Sequence, residues 1–425
     1  MHNNKRFGCV VVIVFAVFLG FCSFSYGYVE PVRKVLPNIT ETTLTNPDLT
    51  KRKGLDISNI VLHSALSTGF TIDPNIYLAN QDEKYDIIYT EKASFGVEIP
   101  IKKKYTLSMD YEATEYHYER FYVNDHVDQR ARGLINIDLT DYRLTLRDTF
   151  RNFTDLPGST NTSRLKQDTN DMRLGLTRES GKFGFDFGYT NAIHHYYSTD
   201  IIAAPVTYKD RSSMRHVLDA SVGCRLWPKT SVILENDFGV SDHESPNSPD
   251  YYFNDILLGI KGELWKKLSG SFLAGFRNQN FETSAVMFDK TFSGVVMRSS
   301  LRYAVSDKDL LNATITRSIE DSTYQSLTYY AANFFGLNFT HVFTNKITGQ
   351  AFGTYQRNGY PTETTEGAKT AKRMDNAYGA GFSLKYDIHS WLSAELGYEF
   401  KKARSNFRTF DYEDNIATFK VTAGF

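Results

Sequence analysis

The stretch Thr418-Phe419-Lys420-Val421-Thr422-Ala423-Gly424-Phe425 alternates without a break. Phe419, Val421, Ala423 and Phe425 fall on one side; Thr418, Lys420, Thr422 and Gly424 fall on the other. Successive side chains of a β-strand point to opposite faces, so this segment is an amphipathic strand with one apolar and one polar face. A sheet of such strands has to cover its apolar face with a second layer of protein or with lipid. The rest of the chain decides between the two.

The same alternation recurs from about residue 60 to Phe425. Phe183, Phe185, Phe187 and Tyr189 interleave with Gly184, Asp186 and Gly188; Leu392, Ala394, Leu396, Tyr398 and Phe400 interleave with Ser393, Glu395, Gly397 and Glu399. Many of these segments exceed the ~9–11 residues that cross a bilayer at a tilt, and most strands of soluble sandwiches are shorter, at ~5–6. No fixed repeat of the kind a solenoid needs is present. The connections alternate in length. Short ones such as Ser180-Gly181, Trp227-Pro228 and Thr344-Asn345 take turns with long ones at 153–166, 197–211, 241–250, 358–373 and 404–411. This rhythm predicts an all-β transmembrane antiparallel up-and-down barrel of about 18 strands, or about 16 if the weakest segments drop out. An even count puts both chain ends at the short-turn rim. Trp227, Trp265 and Trp391 all lie beside short turns and read as an aromatic girdle.

The amino-terminal end fits export. Lys5 and Arg6 precede an apolar run from Phe7 to Phe21, and Ser25-Tyr26-Gly27 supplies small residues before a cut. Residues 1–27 therefore read as a cleaved signal peptide; the run is short of the ~20 residues of a helical span. Residues 28–59, with Pro31, Pro37 and Pro47, read as a loosely ordered periplasmic lead-in, and residues 60–425 as the barrel. Charge is balanced, with 48 Lys and Arg against 49 Asp and Glu, so no excess points to nucleic acid. Of 3 cysteines, Cys9 and Cys22 leave with the signal, and Cys224 alone excludes an intramolecular disulfide. The 27 Tyr and 31 Phe against 11 Pro suit strands.

Particular stretches resemble the putative β-barrel porin family 2, outer-membrane proteins of Gram-negative bacteria often associated with exopolysaccharide or capsule systems. They are Leu62-His63-Ser64-Ala65-Leu66-Ser67-Thr68-Gly69-Phe70 followed by Asp73-Pro74-Asn75-Ile76-Tyr77, then His126-Val127-Asp128-Gln129, and Leu144-Thr145-Leu146-Arg147-Asp148-Thr149-Phe150. Ser64 and Pro74 depart from the family pattern. The resemblance implies a barrel in contact with outer-membrane lipid, and it transfers no catalytic residue, cofactor or settled substrate.

A barrel of 16–18 strands encloses an aqueous channel, so the expected role is passage of a polar solute, with polysaccharide export as one form of it. The alternative is a non-conducting barrel that docks envelope-assembly proteins. The pore-lining candidates are Arg130, Arg132, Arg143, Arg147, Arg151 and Arg173, which share the polar phase of three neighbouring segments. They form either a basic strip for carboxylates or sulfates or a rigid lining paired with Asp138, Asp141 and Asp171. Tyr116, Tyr118, Tyr122, Tyr196 and Tyr197 read as an interfacial belt, and His117, His194 and His195 as solvent-exposed rather than metal ligands. No nucleophile motif such as G-x-S-x-G occurs, so no enzyme and no cofactor are expected. One chain does not define an oligomeric state.

Overall fold

The computed structural model describes residues 54–57, 60–101, 104–156, 164–197, 212–244, 248–282, 291–322 and 329–425. The signal peptide and most of the lead-in lie outside the described residues. In chain order the strands are β1 (Leu55–Ile57), β2 (Ile60–Asp73), β3 (Asp86–Ile101), β4 (Tyr105–Tyr118), β5 (His126–Asp138), β6 (Tyr142–Asp155), β7 (Leu165–Ser180), β8 (Phe183–Tyr196), β9 (Ser213–Trp227), β10 (Thr230–His243), β11 (Tyr251–Trp265), β12 (Leu268–Phe281), β13 (Thr291–Ala304), β14 (Asp309–Asp321), β15 (Tyr329–Val342), β16 (Ile347–Glu366), β17 (Lys369–His389), β18 (Leu392–Ser405) and β19 (Tyr412–Gly424). From β2 onward each strand pairs antiparallel with the next, and β19 pairs with β2 from Ala417↔Ile72 to Gly424↔Ala65. The result is a closed barrel of 18 strands. Closure leaves no free edge, which a bilayer core requires because it offers nothing to hydrogen-bond.

Neighbouring side chains show which face is which. Ala65 is 2% exposed and Leu66 is 65% exposed. The large apolar residue points out of the ring and the small one points in, the inverse of a water-soluble strand. Register extends this outward face around the wall: Phe70 lies opposite Phe419, Phe419 opposite Leu396, and Leu396 opposite Leu384. Exposing each such side chain to water forfeits roughly 1.5–3 kcal/mol, so the belt belongs in hydrocarbon. The C-terminal octet behaves as its alternation predicts, with Phe419 and Val421 outward. At the short-turn rim Trp227, Trp265 and Trp391 are exposed. Register shifts between Glu263 and Trp265 and between Asp387 and His389 are irregularities of the kind that re-aim a side chain at a strand end.

One expectation fails. The connection 358–373 is not a loop, because β16 runs to Glu366, β17 starts at Lys369, and Gly367 turns the chain at φ +58°. Its Thr, Glu and Gly content reads as loop, but opposite charges face each other at Glu363↔Lys372 and Glu366↔Lys369, and Thr365 and Thr370 share a hydroxyl hydrogen bond of 2.9 Å. A register shift between Gly359 and Glu363 accommodates Pro361. At the barrel end of the lead-in, Leu55–Ile57 forms a short strand paired with Ile60–Leu62.

Candidate functional site

Register places all six candidate arginines on the inner phase of β5, β6 and β7. It also sets like charges face to face: Arg130 opposite Arg151, and Arg147 opposite Arg173. Like charges directly across a sheet repel, so the guanidinium groups need carboxylates. Arg130 donates to Glu112 at 3.1 Å, and Arg132 donates its Nε to both oxygens of Asp110 at 3.0 and 2.9 Å. Arg143 donates to Asp138 at 2.6 Å. Arg173 turns from Arg147 toward β9, binding Asp219 with both terminal nitrogens and lying 3.6 Å from Asp186. Arg151 is not without a partner either. Arg147 stays exposed and makes no ion pair among the described residues. Of the acids expected to neutralise the strip, Asp138 pairs as foreseen. The other partners, Glu112, Asp110, Asp219 and Asp186, are neighbours across strands and not along the chain, which is why local sequence did not reveal them. The spacing Asp110-x-Glu112 on β4 was the available signal.

A second charge network, on β10 to β13, was not foreseen. Arg298 on β13 reaches Glu235 at 2.8 Å, Asp255 at 3.1 Å and also Asp237. Arg277 grips Asp255 with two bonds of 2.7 and 2.9 Å. Asp255 is 1% exposed, and these two arginines enclose it. Beneath the network Leu257, Leu273 and Val296 are buried together against Ile233. Arg173, Asp186, Asp219, Glu235, Asp237 and Arg298 line a lumenal cavity of about 970 Å³. The lining is therefore polar, densely charged and cross-linked.

The long-loop rim is narrower. Tyr251, Phe253, Phe281, Ile319 and Tyr329 are buried in one cluster, with Tyr329 stacked on Phe281 at 5.3 Å. Arg215 on β9 donates to Asp321 on β14 at 3.1 Å, and the Tyr251 hydroxyl donates to the same carboxylate at 3.1 Å. Strands five places apart in a regular ring of this size, with ~4.8 Å spacing and ~40° tilt, lie roughly 25 Å from each other. Two side chains bridge only about 10 Å. The β14–β15 ends therefore lie well inside a regular ring. This is permitted because β13 and β14 pair only between Met297↔Arg317 and Ala304↔Leu310.

The stretch Asp73-Pro74-Asn75-Ile76-Tyr77 sits at the same rim. Asn75 is fully buried, and its side-chain amide donates to Ala79 O at 2.8 Å and Glu413 O at 3.0 Å, tying the turn to β19. The belt reading of the tyrosines is corrected for Tyr116, Tyr118 and Tyr196. They take the lumen-facing phase, and Tyr118 and Tyr196 are buried. Tyr122 is exposed. The histidine reading also changes, because His194 is fully buried and its Nε2 is 2.5 Å from Gln167 Oε1; His117 is exposed beside Asp125. Among the described residues no group of three or more His, Cys, Asp or Glu is arranged to hold a metal ion.

Several solved outer-membrane structures are similar to the chain. A ferric enterobactin receptor (PfeA) variant from Pseudomonas aeruginosa is 10% identical, with 86% of this chain and 80% of that one covered, at a TM-score of 0.44. The FrpB iron transporter from Neisseria meningitidis is 10% identical, with 84% and 63% covered, at 0.48. The alcaligin outer-membrane receptor FauA from Bordetella pertussis is 10% identical, with 85% and 76% covered, at 0.42. A search of curated proteins found no match. The family model for putative beta-barrel porin 2 matches residues 51–425, and the chain, an outer-membrane β-barrel, belongs to that family.

Proposed function

We propose that this barrel carries a polar solute across the outer membrane, and that acidic polysaccharide on its way out of the cell is the class it serves. The observation that supports this reading most is the charged cavity of about 970 Å³ inside a closed ring. A structural barrel needs no cavity lined by Arg173, Asp219, Glu235 and Arg298, whereas a hydrated path for a polar molecule does. The reading is non-enzymatic: the lumen offers paired charges, and the role drawn from them is solvation and orientation of a passing solute.

The packed cluster at the long-loop rim favours a second reading, a barrel that is silent at rest and serves as a docking platform in the envelope. Reconstitution in planar lipid bilayers separates the two. Discrete conductance steps are expected from the wild-type chain. A barrel that folds and inserts but never conducts, even after Tyr329→Ala opens the aromatic cluster, would end the pore reading.

A further inference from the structure

Eight turns join the strands at the short-turn rim, and six of them end on lysine: Lys104, Lys182, Lys229, Lys267, Lys308 and Lys346. Each lysine immediately precedes a strand running away from that rim. Each also makes the same backbone contact. Its carbonyl accepts the N–H of a residue in the neighbouring hairpin: Asp138 to Lys104 at 2.8 Å, Arg225 to Lys182 at 2.7 Å, Glu263 to Lys229 at 3.0 Å, Ala304 to Lys267 at 2.9 Å, Val342 to Lys308 at 2.9 Å and Asp387 to Lys346 at 2.8 Å. The six positions thus share one backbone pairing, although Lys267 alone among them takes a positive φ, +67°. Asp141 and Trp391 occupy the other two.

Facing is shared as well. Two residues further on, Thr106, Gly184, Ser231, Ser269, Leu310 and Thr348 all belong to the lumen-facing phase of their strands, which sets the lysines on the inner side of the rim. Lys182 and Lys229 line the lumenal cavity itself. All six are exposed. Residues of the opposite phase at this level are aromatic and exposed, among them Tyr105, Phe183 and Tyr303, so the barrel wall separates the lysines from lipid.

Little at the rim neutralises this ring. Lys229 pairs with Glu263 at 2.5 Å, and Glu179 lies 3.5 Å from Arg225. The ammonium groups of Lys267 and Lys346 donate to the carbonyls of Val305 at 2.9 Å and Ile388 at 3.2 Å, which fixes their position without cancelling charge. Among the described residues Lys104, Lys182, Lys267, Lys308 and Lys346 have no ion-pair partner; the rim acids Asp138, Asp309 and Asp387 are engaged by Arg143, His341 and Lys385 instead, and Asp141 and Asp307 also lie nearby. Lysines on alternate strands stand roughly 10 Å apart, about one Debye length at ordinary salt. Five of them, from β8 to β16, follow one another on alternate strands and their fields overlap, so a chain of negative charges meets one continuous arc and not separate points; Lys104 stands apart on β4, beyond Asp141. An ammonium is a compact, well-hydrated charge without the forked grip of arginine, which suits contacts that form and release quickly as a polymer slides.

We propose that the lysine collar binds a polyanionic solute, a carboxylated or sulfated polysaccharide, at the short-turn mouth of the lumen. This deepens and rests on the transport reading above. It assigns the collar to a polymer entering the lumen and not to phospholipid headgroups, because the lysines take the inner phase.

The test uses the full chain in zwitterionic nanodiscs and fluorescein-labelled polygalacturonate, read by fluorescence polarisation. A variant with all six lysines changed to Gln is expected to bind about tenfold more weakly and with less salt dependence, while the corresponding Lys→Arg set keeps wild-type affinity. Heat-modifiable gel mobility checks folding. A smaller set, Lys104→Gln, Lys182→Gln and Lys308→Gln, gives an intermediate loss if the larger set folds poorly. No binding by the wild type, or binding within twofold in the folded six-Gln variant, overturns the proposal. So does a wild type whose lysines alter retention of anionic phospholipid but not polygalacturonate. Single-channel recording on the same protein separates this from the transport reading. A conducting barrel indifferent to the lysines loses the collar alone, and a silent barrel that binds through them loses the pore alone.

Discussion

Two seams of the barrel are shorter than the others, and they are finished in different ways. Between β19 and β2 the ladder ends at Gly424↔Ala65, but Phe425 continues it with backbone bonds of 2.9 and 3.1 Å to Ser64, and β1 pairs with the next residues of β2. Between β13 and β14 the ladder ends at Met297↔Arg317. Above it a side chain stands in, as the Arg317 guanidinium donates to Val295 O at 2.9 Å. The first seam is completed by main chain, the second by side chains. Main-chain closure is what the hydrocarbon zone demands, because an orphan amide there costs several kcal/mol. Side-chain closure is adjustable, and it lies where the rim packs its aromatic cluster.

Substitutions can break that contrast. The largest effect is expected at the closing seam. A Cβ at Gly69 would stand 2.4 Å from the Phe419 carbonyl oxygen, and backbone on a paired strand cannot retreat. Gly69→Ile should cost about 3 kcal/mol or more and abolish the heat-modifiable band on gels; a normal band would mean the seam tolerates separation. Next comes the latch over the mouth. Asp321→Asn weakens the bond to Arg215, a loss of about 1.5 kcal/mol by the usual worth of a charged hydrogen bond. It should raise single-channel conductance while leaving the barrel folded. Unchanged conductance would show that the β14–β15 ends do not obstruct the path. The smallest effect belongs to Arg317→Ala, about 1 kcal/mol, seen as faster amide exchange confined to residues 291–296. Exchange spreading to β19 and β2 would erase the distinction between the seams.

How far the sequence could be read follows from what each feature depends on. Strand alternation is local, and Thr418–Phe425 or Phe183–Tyr189 displays it within a few residues; from it came the number of strands, the side facing lipid and the inner phase of the six arginines. Partnerships across strands depend on register. Arg173 meets Asp219 through strands 46 positions apart in sequence, and Arg298 meets Glu235 across 63, distances over which no periodicity carries information. The β16–β17 extension was hidden by loop-like composition, and burial of His194 and Tyr118 by neighbours distant in sequence, Gln167 for the first and Ile76 and Ile88 for the second. The lysines lay within reach, since each closes a short turn that was itself legible. Their shared phase emerges only when the turns are superposed.

One feature faces away from all of this chemistry. Beyond Gly359 and Asp375 the β16–β17 ribbon has no strand beside it; it runs on for about 20 Å and rests against the 406–411 connection, where Lys369 lies over Phe407 and Arg373 over Phe410. Because Gly367 caps it in open space, foreign peptides grafted at its tip would be displayed without touching the wall that the membrane needs intact.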